Sequence, residues 1–416
     1  MGDLVLEQLL EATTDHAGDA ADGEGVDGVP ARWVAAPGSA EQASAVMRVA
    51  AEHDLAVVAR GAGTKLGWGH PPERVDLLLD TGRMDTVVEH AAGDLIVVAG
   101  AGCRLTDLQA RLAGAGQWLA VDPARGGTLG GLVATASTGP TRHLRGPVRD
   151  LLIGARVVRA DGVRAHSGGK VVKNVAGYDV GKLLTGSYGT LAVLTEVAFR
   201  LHPLPPTRTW VSVPVVSVAE AHAVTQRVVH SQLAPTAVEL DRPAGGGWAL
   251  SLLLEGIAAG VEGRTERALD LLGTAATASG DPPPWWGREP FEPTGTALKL
   301  TFEIAGLRQL LTAMQESAAA CGLLVDGRGS VGVGTLLAGV RGATEPEPGA
   351  VARLVSGLRQ RAASYGGSVV VLDAPPHVKA AVDVWGPVPA LDLMRAVKSR
   401  FDPQRRLAPG RFVGGI

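Results

Sequence analysis

Cysteine is scarce in this chain: its 416 residues contain only Cys103 and Cys321. Two thiols cannot build a disulfide framework, a four-cysteine zinc site or the four thiolates of an iron–sulfur cluster. A reduced, cytoplasmic setting is therefore expected. No run of eighteen apolar residues occurs, and the longest uncharged stretch, Gly126 to Thr141, is too rich in Gly and Thr for a membrane span. The first 28 residues hold eight acids and neither Lys nor Arg, the opposite of a secretory n-region, so no leader is expected. An excess of one charge is missing as well: 39 Lys and Arg stand against 42 Asp and Glu, which argues against a nucleic-acid partner. The histidines form no HExxH or other metal-spaced pair, so no metal is expected, and no Gly-x-Ser-x-Gly elbow offers a hydrolase nucleophile.

Glycine, by contrast, is abundant at 56 residues, with no collagen-like period, so backbone must approach something closely at several places. Residues 1–28 read as an acidic N-terminal segment, a short helical turn followed by a solvated linker at 18–28. From Ser39, a candidate N-cap, helical and strand patterns alternate. A strand at 56–59 runs into Gly61-Ala62-Gly63-Thr64-Lys65-Leu66-Gly67, and a second glycine run, Gly126-Gly127-Thr128-Leu129-Gly130-Gly131, leads through small residues to Gly139. His202-Pro203-Leu204-Pro205-Pro206 breaks the pattern and places a domain boundary there. Beyond it a strand, helix, strand, strand, helix order occurs and then recurs, with strands at 210–216, 237–240, 248–254, 297–304, 323–326, 331–340 and 368–372. The fold class expected is α+β, with a cap domain at 207–384 built on a seven-stranded antiparallel sheet with helices on one face. Residues 385–416 read as a C-terminal segment returning to the domain at 29–206.

A glycine-rich turn after a strand offers unpaired N–H groups that can cradle phosphate. Neither run contains the Walker Lys-Ser/Thr pattern, and G-x-G-x-x-G fails at Leu66 and again at Leu105. Taken singly, either run could serve tight turns alone. Between Arg125 and Lys182, however, ten basic residues face three acids in a chain of net charge −3, and an anion near the glycines accounts for that concentration.

Val57-Val58-Ala59-Arg60-Gly61-Ala62-Gly63-Thr64, Gly127-Thr128-Leu129-Gly130-Gly131, Gly146 with Arg149-Asp150, and Thr185-Gly186-Ser187-Tyr188-Gly189-Thr190-Leu191 follow one another in an order that resembles the vanillyl-alcohol-oxidase-type (PCMH-type) FAD-binding domain. The resemblance covers about 29–206 and implies a two-part α+β domain that holds FAD without a covalent bond. It implies that Gly61, Ala62, Gly63, Thr64, Lys65, Leu66 and Gly69 wrap the pyrophosphate. Thr128, Leu129, Gly130, Gly131, Ala134, Ser137, Thr138 and Gly139 would line pyrophosphate and flavin, with Pro123 and Val193 beside the flavin and adenine portions. Val172-Lys173-Asn174-Val175-Ala176-Gly177-Tyr178, Val384-Trp385-Gly386-Pro387 and Pro409-Gly410-Arg411 resemble, more narrowly, the smaller FAD-binding subunits of bacterial glycolate oxidases. That likeness implies oxidation of a small 2-hydroxy acid with hydride transfer to flavin, beside a larger FAD subunit and an iron–sulfur subunit. Through those partners the chain would lie at the membrane periphery.

The pattern departs in two places. Tyr188 stands where the larger catalytic subunits carry Glu, and their C-terminal histidine cluster is reduced to His377. A non-catalytic FAD-holding or assembly subunit, or a stand-alone flavin oxidase of another alcohol, therefore stays open beside the 2-hydroxy-acid enzyme. For an enzyme, Arg142 and His143 are candidates to clamp a carboxylate, and Lys173 and Tyr178 to serve as anion stabiliser and proton relay. A packed turn with a solvent-facing lysine accounts for the last two equally simply.

Overall fold

Ser39 sits extended at φ −148°, and its hydroxyl accepts the Gln42 amide at 3.2 Å, so the chain enters the helix Ala40–Glu52 at the expected cap. The structure, a computed structural model, describes residues 2–170 and 178–416. The helix buries Ala43, Val46, Met47 and Ala50 at helical spacing against a four-stranded sheet. In that sheet Trp33–Ala35, Leu77–Asp80 and Val57–Arg60 run parallel, and Ala17–Asp19 adds an antiparallel edge. A second, five-stranded antiparallel sheet orders Arg164–Gly168, Leu152–Val158, Val193–Arg200, Ile96–Gly100 and Val87–Ala91. These two sheets are the two parts of the α+β layer that carries both glycine runs.

The acidic start of the chain is not a solvated linker. The helix Gly2–Thr13 buries Val5 and Leu9 beside Trp33 and Met47, and the Gly25–Val26/Val29–Pro30 hairpin buries Val26 completely. Glu24 pairs with Arg60 at 2.5 Å and Asp27 with Lys379 at 2.6 Å. Composition hid this because the cations that pair with Glu24 and Asp27 lie 36 and 352 residues away.

The third sheet is antiparallel and has eight strands where the pattern predicted seven. Its order is Thr277–Ser279, Thr207–Val215, Trp248–Gly256, Ala237–Arg242, Leu324–Ser330, Thr335–Arg341, Thr296–Thr301, Ser368–Asp373. The extra member is a short, fully exposed edge strand whose Thr-Ala-Ser sequence carries no alternation to betray it. The predicted strand at 331–340 is shorter, because Val331–Val333 forms a tight turn that ends at Gly334, φ +66°. Four helices, Val218–Val229, Ala258–Leu272, Leu307–Ala320 and Pro348–Ala363, share one apolar core with the sheet. Period two then decides the sheet's other face. Leu298 and Leu300, Val238 and Leu240, and Leu336 and Ala338 turn to the helices, so Lys299, Glu239 and Leu337 turn away from them.

The C-terminal chain returns to the first sheet. After the helix Leu391–Phe401, Ala408 donates its amide to the Val57 carbonyl at 2.8 Å, and Val57 donates to Arg406 at 2.8 Å. Lys398, fully buried, holds the turn by donating to Asp402 at 2.7 Å and to the carbonyls of Thr190 and Leu407.

Candidate functional site

The two glycine runs meet at the carboxyl end of Val57–Arg60. A Cβ on Gly61 would lie 2.0 Å from the Thr128 hydroxyl oxygen, so only glycine lets the loop pass. That hydroxyl accepts the Gly131 amide at 3.3 Å and caps a helix, Leu129–Ala134, inside what the sequence shows only as a run of small residues. Thr64 donates to the Gly126 carbonyl at 3.2 Å, and the Lys65 ammonium donates to the carbonyls of Arg125 and Gly126, both at 2.7 Å. Burial pushes Lys65 down to about 8, an outcome that an anion beside it would reverse.

The walls enclose a cleft of about 820 Å³ including its mouth. Gly61, Ala62, Gly63, Thr64, Lys65 and Leu66 line one side, and Thr128, Gly130, Gly131 and Ala134 the other. Arg411, from the returning C-terminus, reaches the same cleft. Its guanidinium donates to the Leu66 carbonyl and to that of Trp68 at 3.2 Å, while its Nε–H has no partner. Burial lowers the guanidinium to about 10. Close backbone, two buried cations and an orphaned donor fit a long dinucleotide-like anion such as FAD.

A second chamber, about 1,390 Å³ with its opening, adjoins the cleft, and Thr135 and Tyr188 line both. Its floor is the glycine run's continuation, Ser137, Thr138 and Gly139 with Pro123 and Arg142; its roof is the bare face of the eight-stranded sheet, with Glu239, Lys299, Arg328 and Ser330. Tyr188, at φ +56°, stacks its ring edge-on against Trp385 at 5.1 Å and tilted against Phe412 at 5.5 Å. Burial raises the phenol, which keeps it neutral. Arg125 pairs with Glu289 at 2.5 Å and Arg328 with Asp241 at 2.7 Å. Arg142 makes only a 3.4 Å contact to the Thr138 hydroxyl, and among the described residues neither it nor Lys299 has an ion-pair partner.

Several expected residues stand elsewhere. Val193 is fully buried with Leu79 and Leu407, because the strand's alternation presents Ala192 and Leu194 to the cleft instead. Leu129 packs in the core of the second sheet. Gly69 lies behind the cleft, where a Cβ would meet Arg411, Trp385 and Tyr188. His143 is wedged against Gly332 and Val238 of the sheet and lines neither cavity, and burial lowers its imidazole. Tyr178 is 95% exposed and cannot serve as a proton relay inside the site. Lys173 falls outside the described residues. Glu239 and Lys299 were missed, although a charge between two aliphatics on a buried strand, Val238-Glu239-Leu240 and Leu298-Lys299-Leu300, was the available signal.

Residues 31–168 match the FAD binding domain family, and residues 384–412 match the C-terminal domain of FAD linked oxidases. Both domains indicate FAD as the cofactor. The glycolate oxidase subunit GlcE of Escherichia coli (strain K12) is 37% identical over 154 residues, 36% of this chain and 43% of that one. The D-lactate dehydrogenase of Archaeoglobus fulgidus is 33% identical over 207 residues, 50% and 46% of the two chains. The glycolate oxidase subunit GlcD of Bacillus subtilis (strain 168) is 30% identical over 213 residues, 50% and 45%. Each match thus spans a little under half the length of the relative. Among solved structures, p-cresol methylhydroxylase with substrate bound superposes at a TM-score of 0.76, 14% identity, over 99% of this chain and 96% of that one. Alkyldihydroxyacetonephosphate synthase superposes at 0.69, 17% identity, over 91% and 77%. At such identities these two establish the fold alone.

Proposed function

Starting from an FAD-linked oxidoreductase, we propose that this chain is a glycolate-oxidase-like subunit that oxidises a small 2-hydroxy acid, with the substrate in the chamber roofed by the eight-stranded sheet. The observation that carries the reading is the chamber itself, a cation-rich space that shares Thr135 and Tyr188 with the glycine-lined cleft. The bound flavin supplies the two-electron acceptor. The chain's own residues do the rest. Lys65 and the amides of the 61–66 loop hold the anionic linkage, Gly130 and Gly131 allow its approach, and Arg411 fixes the loop from behind. Trp385 and Phe412 exclude water from the Tyr188 side.

Electrons must then leave, and two cysteines cannot ligate a cluster that needs four thiolates. The reading therefore includes a larger flavoprotein and an iron–sulfur protein as partners. Trp285 and Trp286, tilted against each other with ring centroids 5.8 Å apart on the rim of the sheet, offer a contact surface. The absence of a C-terminal histidine cluster favours one alternative, an FAD-holding subunit without chemistry of its own.

The test supplies the purified chain with glycolate, D-lactate and D-2-hydroxyglutarate, first without oxygen to watch the flavin bleach, then with oxygen or a dye. Bleaching without sustained turnover is expected. Turnover at the usual enzyme scale of about 1–10³ per second would show a self-sufficient oxidase or dehydrogenase. A flavin that none of the acids bleaches would favour the FAD-holding alternative.

A further inference from the structure

Among the described residues, three ionisable groups in the chamber, Glu239, Lys299 and Arg142, have no ion-pair partner. Glu239 stands in the middle of the sheet, 5% exposed, and takes one hydrogen bond from the Ser330 hydroxyl. Lys299 extends from the strand Thr296–Thr301 into the same space, half-buried on the face of the sheet that turns away from the helices. Arg142 rises from the floor opposite, in the short helix that follows the glycine run. An apolar residue at any of the three would bury at less cost, since a desolvated charge is unfavourable unless something completes it. The strand alternation shows that Glu239 and Lys299 are aimed: their neighbours Val238, Leu240, Leu298 and Leu300 all point to the helices.

We infer that Glu239 is the general base of the chamber, receiving the hydroxyl proton of a 2-hydroxy acid whose carboxylate is gripped by Arg142 and Lys299. This rests on the reading of the chain as a 2-hydroxy-acid oxidising flavoprotein and supplies the base that its missing histidines leave vacant. In the step, the C2–H bond would break with its hydrogen and electron pair leaving together as a hydride to the flavin, the O–H bond would break with its proton passing to Glu239, and C2–O would become a double bond. The substrate loses two electrons and the flavin gains them.

Arg142 faces Glu239 from the floor, Arg328 and Ser330 from the neighbouring strand, and Lys299 lies in the same chamber, while Asp122, which does not line it, acts on Glu239 through its charge. Burial and then Asp122 push the carboxyl up to about 8 against Ser330, Arg142 and Arg328, which places it where a base works at ordinary pH. Lys299 is pushed down by burial to about 8. As pH rises through this region Glu239 ionises, so the rate of reduction climbs. Lys299 loses its charge over the same range, so affinity for the carboxylate falls. The two parameters move in opposite senses.

The experiment uses the FAD-loaded chain, anaerobic single-turnover reduction by glycolate or D-lactate between pH 6 and 10, and calorimetric titration with oxalate, which carries the carboxylate but no oxidisable C–H. Glu239→Gln should keep its FAD and its oxalate affinity, reduce roughly 10²- to 10⁴-fold more slowly, and lose the rise with pH. Glu239→Asp should restore part of both. Lys299→Met and Arg142→Met should each bind oxalate at least about tenfold more weakly at full FAD content. The proposal is overturned if Glu239→Gln is reduced at the wild-type rate with the same pH profile, or if both methionine variants bind oxalate normally. If no 2-hydroxy acid reduces the wild-type flavin, the functional reading fails and the base role with it, while the oxalate titration alone decides the carboxylate grip.

Discussion

Gly130 and Gly131 are adjacent in sequence, and the structure gives them separate duties that one pair of substitutions can expose. A Cβ on Gly130 would lie 2.9 Å from the Ala101 Cβ and 3.1 Å from the Ala101 carbonyl, so it runs into the turn that follows the strand Ile96–Gly100. On Gly131 it would meet only the capping hydroxyl of Thr128, at 3.2 Å, and would otherwise project into the cleft. Gly131→Ala therefore gains helix propensity, about 1 kcal/mol for a glycine replaced inside a helix, offset by a few tenths of an ångström of adjustment at Thr128. The empty protein should be no less stable. A methyl forced into a close-packed contact costs about 1–3 kcal/mol, so FAD should bind about 5- to 150-fold more weakly, and Gly131→Val should not retain it. Gly130→Ala should instead lower the stability of the empty protein by about that same 1–3 kcal/mol, because the Ala101 backbone it meets is held on both sides, donating to the Thr195 carbonyl at 2.9 Å and accepting from the Gly130 amide at 2.8 Å. Thermal unfolding of flavin-free protein and fluorescence titration with FAD separate the two. Full flavin occupancy in Gly131→Val, or equal loss of stability in Gly131→Ala and Gly130→Ala, would refute the assignment.

Acid precipitation should release the flavin into the supernatant, because Thr64 occupies the loop and His70, the nearest imidazole in sequence, lines neither the cleft nor the chamber; a chain heavier by the mass of FAD would contradict this. Stability should fall as pH rises from 5 to 8. Asp122 is held up to about 7 by burial and Glu239 to about 8, so between the unfolded carboxyl range and those values the folded state binds more protons than the unfolded one. For Asp122 the ceiling on this effect is about 4 kcal/mol. Asp122→Asn can still accept from Thr141, which donates at 2.6 Å, so it should unfold like wild type at pH 5 and at a higher temperature at pH 8. A variant equally weakened at both pH values would show that Asp122 is ionised throughout.

The cofactor was legible because its recognition is local: Gly61, Thr64, Lys65, Thr128 and Gly131 lie in two short runs that neither fingerprint fits singly, and their order along the chain carried the resemblance to an FAD-binding domain. The doubled order of strands and helices in 207–384 was legible for the same kind of reason, since period two and period 3.6 are properties of consecutive residues. What depended on distant parts of the chain was not. Val193 and Ala192 differ by one position, and which of them faces FAD is decided by the strand's register against Ile96–Gly100 and Leu152–Val158. Glu24 and Asp27 read as part of a solvated linker until Arg60 and Lys379 came to meet them. The chamber exists only because a sheet with all its helices on one face must lay the other over the glycine floor. That apposition turns Glu239, Lys299 and Arg142, from segments more than fifty residues apart, into one site, because burial beside an opposing surface, and no local pattern, gives a charged side chain its chemistry.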